Sequence, residues 1–210
     1  MTTRRAMTLP AVTARSVMSY GGSMGRWAPD AAIRLERAAL ELFSEQGYAD
    51  TTVPQIATRA GLTTRTYFRH FADKRDVLFL REREFPAVVS AVLADAPDGL
   101  APVDLVMHGF DAVARDGFDA WREAVRARRR IIRSDAHLRE RELLKSSALA
   151  GAIEGVLVEH GLEARDAALL SSFGVLVFDA ALDAWLEGAS DRPLHEVLRD
   201  TRDRLGRLTG

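Results

Sequence analysis

The densest group of side chains able to bind an anion lies between Pro54 and Arg75. Over this stretch five basic residues accompany one acidic residue, Asp73, so the segment carries a local net charge of +4 although the whole chain carries -1. The five are Arg59, Arg65, Arg69, Lys74 and Arg75. A whole-chain sum can conceal such a surface. Because clustered positive charge is what binding to a phosphate backbone requires, the segment is a candidate for binding nucleic acid.

The residue types needed for catalysis or metal binding form no recognisable pattern. The chain has no cysteine, which excludes disulfides, thiol catalysis and cysteine-ligated zinc. Its five histidines have no close metal-binding spacing, and the glycines between Tyr20 and Gly25 follow no strand, as a phosphate-binding loop would require. We therefore expect no catalytic residue, no metal and no cofactor, and we do not expect an enzyme.

The composition is that of a folded globular protein, with 47% hydrophobic and 28% charged residues. No stretch holds the roughly 18 uninterrupted apolar residues of a membrane span, so we expect a cytoplasmic protein with no membrane partner. Residues 1–28 hold four arginines and no acidic residue, and no apolar run follows Arg4 and Arg5 as an export signal would require. We expect a disordered basic tail there; an arm that contacts the DNA backbone is the alternative.

Apolar residues at helical spacing predict a first helix from about Pro29 to Gly47. A fourth helix is predicted to begin at Lys74, after a capping Asp73, and to run to about Asp95 with a kink at Pro86. These two helices enclose the basic segment. They are therefore the elements that must hold it in place.

Two short helices occupy the basic segment itself. The first follows Thr52 as its N-cap and has Pro54 in its first turn, and the second follows Thr63 as its cap and runs from Thr64 to about His70. A tight turn at Gly61 joins them. This arrangement is a helix-turn-helix, in which the second of the two helices presents its exposed face to the DNA major groove.

The rest of the chain has helical periodicity, and no run shows the alternation of a half-buried strand. We expect an all-α protein of about nine helices with two domains, a DNA-binding domain over residues 29–75 (helix-turn-helix about 52–71) and a helical domain over residues 76–210. The later helices are predicted near Val103–Asp116, Phe118–Ile132, Ala136–His160, Arg165–Glu187 and Leu194–Leu208.

The N-terminal region strongly resembles the DNA-binding region of the TetR family over some forty to sixty residues. The run that ends at Leu78 reads AALELFSEQGYADTTVPQIATRAGLTTRTYFRHFADKRDVL. It is similar to the family in its Ala-Ala-x-x-Leu-Phe, its Gly before Thr-Thr-Val, its Ile-Ala-x-x-Ala-Gly and its Thr-x-aromatic-x-x-Phe-x-x-Lys. The C-terminal part is similar only in length and helical layout.

The resemblance implies two kinds of DNA contact. Base edges are expected to be read by Thr64, Arg65 and Thr66, since arginine can bind guanine with two hydrogen bonds and a threonine methyl can pack on thymine. Phosphate is expected to be contacted by Thr52, Arg69, His70 and Lys74. The alternatives are structural roles: an N-cap for Thr52, a packing histidine for His70 and a solvated helix face for the others.

One pair of residues departs from the family pattern. Phe68 stands where most members have tyrosine, and Tyr67 stands where most have an aliphatic residue. Because Phe68 has no hydroxyl, it can supply only packing or apolar contact, whereas Tyr67 is expected in the core with its hydroxyl near the surface. Thr63, Tyr67 and Phe68 complete the expected DNA-binding set.

A single copy of the third helix contacts only a few base pairs. We therefore expect a homodimer that binds a palindromic operator of double-stranded DNA. The resemblance implies that the last two helices, about 165–187 and 194–208, pack into a four-helix interface. It also implies an effector cavity in the helical domain, for an apolar or amphipathic molecule of acyl or aromatic type. The candidate lining residues are Phe110, Trp121, Phe173 and Trp185, with His108, His137 and Arg133 as polar anchors.

The function expected from the sequence is a ligand-responsive repressor, although activation would give the same sequence features. The arginines between Arg126 and Arg133 could hold an anionic ligand or could pair with local carboxylates. Two rival functions stay open. One is a helical ligand carrier or enzyme that has lost DNA binding, and the other is an architectural protein that binds any duplex.

Overall fold

The computed structural model describes residues 28–80, 85–115, 118–188 and 191–209, and every regular element in these ranges is helical. The all-helical prediction is confirmed, and the predicted basic tail lies outside the described residues except for Ala28. Two 3-10 turns, Asp76–Phe79 and Phe118–Trp121, accompany the α-helices. These are α1 (Ala28–Gln46), α2 (Val53–Arg59), α3 (Thr64–His70), α4 (Phe85–Ala94), α5 (Pro102–Arg115), α6 (Arg122–Ser134), α7 (Ala136–Glu159), α8 (Ala164–Glu187) and α9 (Leu194–Thr209).

The N-terminal helices surround a core built on α1. Leu35 and Ala39 of α1 are fully buried, together with Ile56 of α2 and Phe71 at the end of α3. The turn between α2 and α3 has Gly61 at φ 64°, a left-handed conformation that costs glycine little. A Cβ at this position would lie 3.0 Å from Nη2 of Arg34, at the end of a flexible side chain, so the left-handed backbone is the main reason for glycine here.

The predicted fourth helix is not continuous from Lys74 in the described residues. Oδ1 of Asp73 accepts the N–H groups of Arg75 at 2.8 Å and Asp76 at 3.0 Å, as expected of a helix cap, but the residues that follow form a 3-10 turn. The α-helix described next is Phe85–Ala94, which contains Pro86. Residues 81–84 lie outside the described residues, so the kink at Pro86 stays a prediction.

The C-terminal helices pack around α5 and α8. The ring of Phe110 on α5 stacks on that of Phe178 on α8 with centroids 4.8 Å apart, and both side chains are buried. Gly174 lies at the same crossing, where a Cβ would overlap Cγ1 of Val106. The absence of a side chain at Gly174 therefore lets the two helices approach closely.

The N-terminal core extends into the later helices. Val77 and Leu78 of the first 3-10 turn, Ile131 and Ile132 of α6 and Leu138 of α7 are buried in the same cluster as α1 and α3. Two polar contacts reinforce this junction. Nη1 of Arg128 donates to the carbonyl of Leu78 at 3.1 Å, and Nη2 of Arg141 donates to Oδ1 of Asp76 at 3.0 Å. The helix-turn-helix is thus fastened to α6 and α7, and a boundary between residues 75 and 76 stays a prediction.

Within the described ranges, α8 is the one helix long and apolar enough to cross a membrane, by length and composition alone. One face of α8 packs in the protein core through Ala167, Val175, Phe178 and Trp185. The opposite face is exposed, and its side chains are uncharged from Leu169 onward to Ala184. The fold of one chain therefore covers one side of α8.

Candidate nucleic-acid interface

The second helix is fixed at its start by a reciprocal cap. Oγ1 of Thr52 accepts the N–H of Gln55 at 3.4 Å, and Oε1 of Gln55 accepts the N–H of Thr52 at 2.7 Å. Two of the helix-terminal N–H groups are thereby bonded within the protein. Thr52 is exposed and is an N-cap, so its structural role is present, and phosphate contact stays a prediction.

The third helix presents a continuous outward face. Thr64, Arg65, Phe68 and Arg69 are exposed, at positions one turn apart on one side of α3, while Tyr67 is buried on the other side. Oγ1 of Thr63 caps α3 by accepting the N–H of Thr66 at 3.1 Å. The helix therefore offers hydroxyl, guanidinium and aromatic groups together, which are groups that contact base edges and phosphates.

Tyr67 lies in the core, and the next residue, Phe68, lies on the surface. Tyr67 is fully buried, as expected, and its hydroxyl donates to the carbonyls of Asp73 at 3.2 Å and Lys74 at 3.4 Å. Burial raises the pKa of this phenol, and the carboxylates of Asp73 and Asp76 raise it further. The hydroxyl of Tyr67 is therefore directed inward, and Phe68 stands 58% exposed on the outer face.

Lys74 lies where its ammonium group bonds to the protein itself. Nζ donates to the carbonyls of Tyr48 at 2.7 Å, Thr51 at 2.9 Å and Ala49 at 3.3 Å, and it lies 4.2 Å from the centroid of the Tyr48 ring. These contacts tie the loop between α1 and α2 to the segment after α3. Burial lowers the pKa of Lys74, against the opposing effect of Asp135 and Asp50.

The charges of the basic segment are not all directed outward. Arg59 forms a paired contact with Glu45, at 2.9 and 2.8 Å, and Arg75 contacts Asp73 at 2.7 Å. Within the described residues Arg65 and Arg69 form no ion pair. The positive charge available to DNA is therefore concentrated on α3, a distinction that counting charges along the sequence could not make.

His70 is half-buried at the end of α3. Burial lowers its pKa, and the neighbouring charge of Arg69 lowers it further, so the neutral ring is favoured at pH 7. Nε2 is shielded and has no hydrogen-bond partner among the described residues. Phosphate contact by His70 stays a prediction.

The expected effector residues are not brought to one place. Phe110 and Trp185 are in the core, whereas Trp121, His108, His137 and Arg133 are exposed. Nε1 of Trp185 donates to the carbonyl of Arg192 at 3.0 Å. Only Phe173 of this set lines the groove of about 390 Å³ between α5, α8 and α9, with Val103, Arg202, Asp203, Leu205, Gly206 and Arg207.

Five of the six arginines of α6 have partners within the protein, and Arg130 is exposed. Nε of Arg129, which is buried, contacts Oδ1 of Asp183 at 2.5 Å, and Arg133 contacts both Asp183 and Glu187. Arg126 donates to the carbonyl of Leu186 at 2.9 Å. Of the two roles open for these residues, pairing with local acceptors is the one that the geometry displays.

Together these features define an all-helical protein with an outward-facing helix-turn-helix. Residues 36–79 match the family model described as bacterial regulatory proteins, tetR family. This range contains α2, α3 and residues 36–46 of α1. Residues 36–79 thus match the DNA-binding domain of the TetR family.

Curated relatives agree with this assignment. The chain is 41% identical over 87 residues to the HTH-type transcriptional regulator TcmR of Streptomyces glaucescens, a match covering 40% of this chain and 38% of that protein. It is 33% identical over 124 residues to the regulator HbdR of Aromatoleum sp. (strain CIB), covering 54% of each. The matches thus span about half or less of these relatives.

Solved structures share the fold at low sequence identity. A TetR family repressor, FadR of Thermus thermophilus in complex with lauroyl-CoA, superposes with a TM-score of 0.54 at 20% identity, covering 85% of this chain and 95% of that one. FadR of Bacillus subtilis in complex with stearoyl-CoA gives a TM-score of 0.52 at 20% identity, covering 82% and 96%. These similarities establish the arrangement of helices.

Proposed function

We propose that this chain is a cytoplasmic repressor that binds a palindromic operator as a homodimer and releases it when a small molecule binds the helical domain. The observation that carries the proposal is the outward face of α3, where Arg65 and Arg69 stand exposed beside Thr64 and Phe68. A buried Tyr67 and a capped N-terminus hold this face rigidly. Rigid presentation of base-reading groups is what sequence-specific binding requires.

Arg65 is the proposed reader of guanine. Its side chain is exposed in the first turn of α3 and is not held in an ion pair within the described residues. The N-terminal residues of a recognition helix contact base edges, and arginine can bond O6 and N7 of guanine at once. Arg69 lies one turn later and is proposed to contact phosphate, with Thr52 at the start of α2.

The proposed dimer follows from the short reach of α3, which spans seven residues. Two copies about 34 Å apart would read successive major grooves on one side of the duplex. The resemblance to the TetR family implies α8 and α9 as the interface. The exposed side chains favour α7 beside α8, because those of α7 between Leu143 and Val158 are uncharged, whereas α9 exposes Arg199, Asp203, Arg204 and Arg207.

The area of this surface supports a dimer. α7 and α8 have 24 residues each, so each is about 36 Å long at 1.5 Å per residue. Side by side they present a face of roughly 700 Å², close to the roughly 800 Å² that each partner of a stable complex buries. The name α7–α8 face is used below for the exposed side of these two helices, which carries Leu143, Leu144, Val158, Leu169 and Leu176.

The proposed effector is an amphipathic anion of the acyl type. The groove beside Phe173 supports this proposal because it combines apolar groups of Val103 and Leu205 with the cationic side chain of Arg207. Arg202, which is paired with Asp104, and Asp203 also line it. Ligand binding that spreads the two copies of α3 would lower affinity for the operator by population shift. Lauroyl-CoA, free laurate and free coenzyme A distinguish the acyl chain from the head group in an operator-release titration. No release by any of the three would remove this part of the proposal and leave DNA binding intact.

Selection of bound fragments from random duplex DNA by the full chain tests the main proposal. We expect a palindromic site, with Arg65→Ala losing about 1–3 kcal/mol of discrimination per guanine contact. Arg65→Lys is the matched control, since it keeps the charge and the salt dependence but lacks the forked donor. A reporter promoter carrying the site distinguishes repression from activation.

Failure to enrich any sequence contradicts the proposal. Equal affinity for every duplex would instead indicate an architectural binder. No DNA binding at low salt, with a ligand retained by the purified protein, would indicate a helical carrier or enzyme. The three outcomes separate the regulator from its two rivals.

A further inference from the structure

Phe68 is an unusual residue for the surface of a water-soluble domain. Phe68 is 58% exposed in the middle of α3, and the other exposed residues of this helix, Thr64, Arg65 and Arg69, are polar or cationic. Its contact with Tyr67 is edge-on, with centroids 5.6 Å apart and planes at 80°, so one face of the ring is not covered by that neighbour. The ring is therefore placed to bury apolar surface against something outside the chain.

The position of the ring on α3 restricts what that partner can be. Thr64 lies one turn before Phe68 and Arg65 lies three residues before it, so all three project from the same side of the helix. If this side enters the major groove, Phe68 enters with it. This step rests on the proposed function.

The major groove offers an aromatic ring one favourable apolar group. Base edges there consist of hydrogen-bond donors and acceptors, apart from the C5 methyl of thymine. A phenyl ring placed against a donor or acceptor would remove water from that group without replacing its hydrogen bond, which is unfavourable. Contact with a thymine methyl instead removes apolar surface from water on both sides.

We propose that Phe68 is a specificity-determining residue that selects thymine in each half-site through the C5 methyl group. Arg65 and Phe68 are three residues apart, which is about 4.5 Å along the helix, compared with about 3.4 Å per base pair. The selected thymine therefore lies one or two base pairs from the guanine read by Arg65. A half-site with this pairing of bases is the expected result of selection.

The test replaces each thymine of the selected duplex by uracil, which pairs identically but lacks the methyl group. Binding is measured with the full chain as wild type, as Phe68→Ala and as Phe68→Leu. Replacing the selected thymine by uracil in one half-site is expected to weaken wild-type binding about fourfold, because one buried methyl group is lost. Replacing it in both half-sites is expected to weaken binding about fifteenfold. Phe68→Ala is expected to bind thymine and uracil duplexes equally, and Phe68→Leu to retain a smaller preference.

Leu208→Ala is the matched control, because Leu208 is also an exposed apolar residue but lies at the far end of α9. It should keep the full preference for thymine. Uracil tolerated at every position by the wild type, or a thymine preference that persists in Phe68→Ala, would overturn the inference while leaving a selected site and the proposed function in place. Selection that recovers no site would overturn both.

Discussion

At the scale of single residues, Lys74 shows how one side chain fits two roles that the sequence cannot separate. Family resemblance implies a phosphate contact. In the structure three N–H donors of the ammonium group are directed to three carbonyl oxygens of the loop before α2. Lysine has three such donors, so a phosphate would have to replace a bond that the protein already makes.

We expect Lys74→Met to lower the free energy of unfolding by about 2 kcal/mol, because carbonyls bonded to a charged donor lose it. The dependence of DNA affinity on salt should keep its slope, since no phosphate contact is lost. Arg69→Met is the control and should show the reverse, with a slope reduced by about 1 for each subunit of the dimer and stability nearly unchanged. A reduced slope in Lys74→Met with unchanged stability would favour the phosphate role instead.

Lys145 is a second lysine whose environment is set by its neighbours. It lies on α7 among Arg128, Arg129, Glu142 and Asp179. Burial is the main cause that lowers its pKa to about 7, and the two arginines lower it while the two carboxylates oppose them. The neutral amine is thus favoured in the folded protein at a pH where an unfolded lysine is charged.

This difference predicts a pH dependence of stability. Between about pH 7 and pH 10 the unfolded chain binds a proton at Lys145 that the folded chain does not, so stability should rise with pH, by at most about 1.4 kcal/mol per unit. Lys145→Met should remove this contribution and should be more stable relative to wild type at pH 6 than at pH 10. Chemical denaturation of both proteins across this pH range measures the free energy of unfolding. If that free energy changes with pH in the same way for both proteins, the lowered pKa of Lys145 is contradicted.

At the scale of elements, local signals in the sequence were sufficient for the helices of the DNA-binding domain. Thr63 and Gly61 mark the start of α3 and the turn before it, and α3 was predicted with the bounds that it has. Caps and left-handed glycines act within a few residues, so a sequence displays them directly. The resemblance to the TetR family at these residues is confirmed by the family model.

Other features depend on contacts between distant residues. The 3-10 turn at Asp76–Phe79 replaces the expected start of a helix where Asp76 is bonded to Arg141, 65 residues away. Lys74 bonds to the carbonyl of Tyr48, and Arg59 pairs with Glu45. Both contacts likewise join residues that only folding brings close together. The seven effector residues were chosen by residue type, and such a choice cannot distinguish a cavity wall from a packed core.

The crossing of α5 and α8 offers a test of packing at this scale. A Cβ at Gly174 would overlap Val106 and lie 3.1 Å from Cε2 of Phe110, so we expect Gly174→Ala to lower the free energy of unfolding by about 1–3 kcal/mol. Gly206 on α9 is the control, because a Cβ there meets nothing within 4 Å. Gly206→Ala should raise stability by about 0.5–1 kcal/mol through helix propensity. Equal changes in the two variants would show that α5 and α8 do not approach as described.

At the scale of the whole molecule, the proposed binding to a palindrome would depend on how two copies of the chain associate. An isologous interface places the same residues opposite one another across a two-fold axis. Equal charges near that axis repel, so an uncharged surface is suited to self-association. The α7–α8 face has this character, and the outer side of α9 does not.

Leu144→Glu places a carboxylate on the α7–α8 face at a side chain that is 65% exposed in one chain, so the fold of the monomer should be preserved. If this face is the interface, each buried unpaired carboxylate costs several kcal/mol, and the dimer should weaken at least about a hundredfold in sedimentation velocity. Arg204→Glu on α9 is the matched control and should remain dimeric. The opposite pattern would locate the interface on α8 and α9, as the resemblance to the TetR family implies. In either case the variant that becomes monomeric should lose preference for the full palindrome over a single half-site, because only the dimer holds two copies of α3 one helical turn apart.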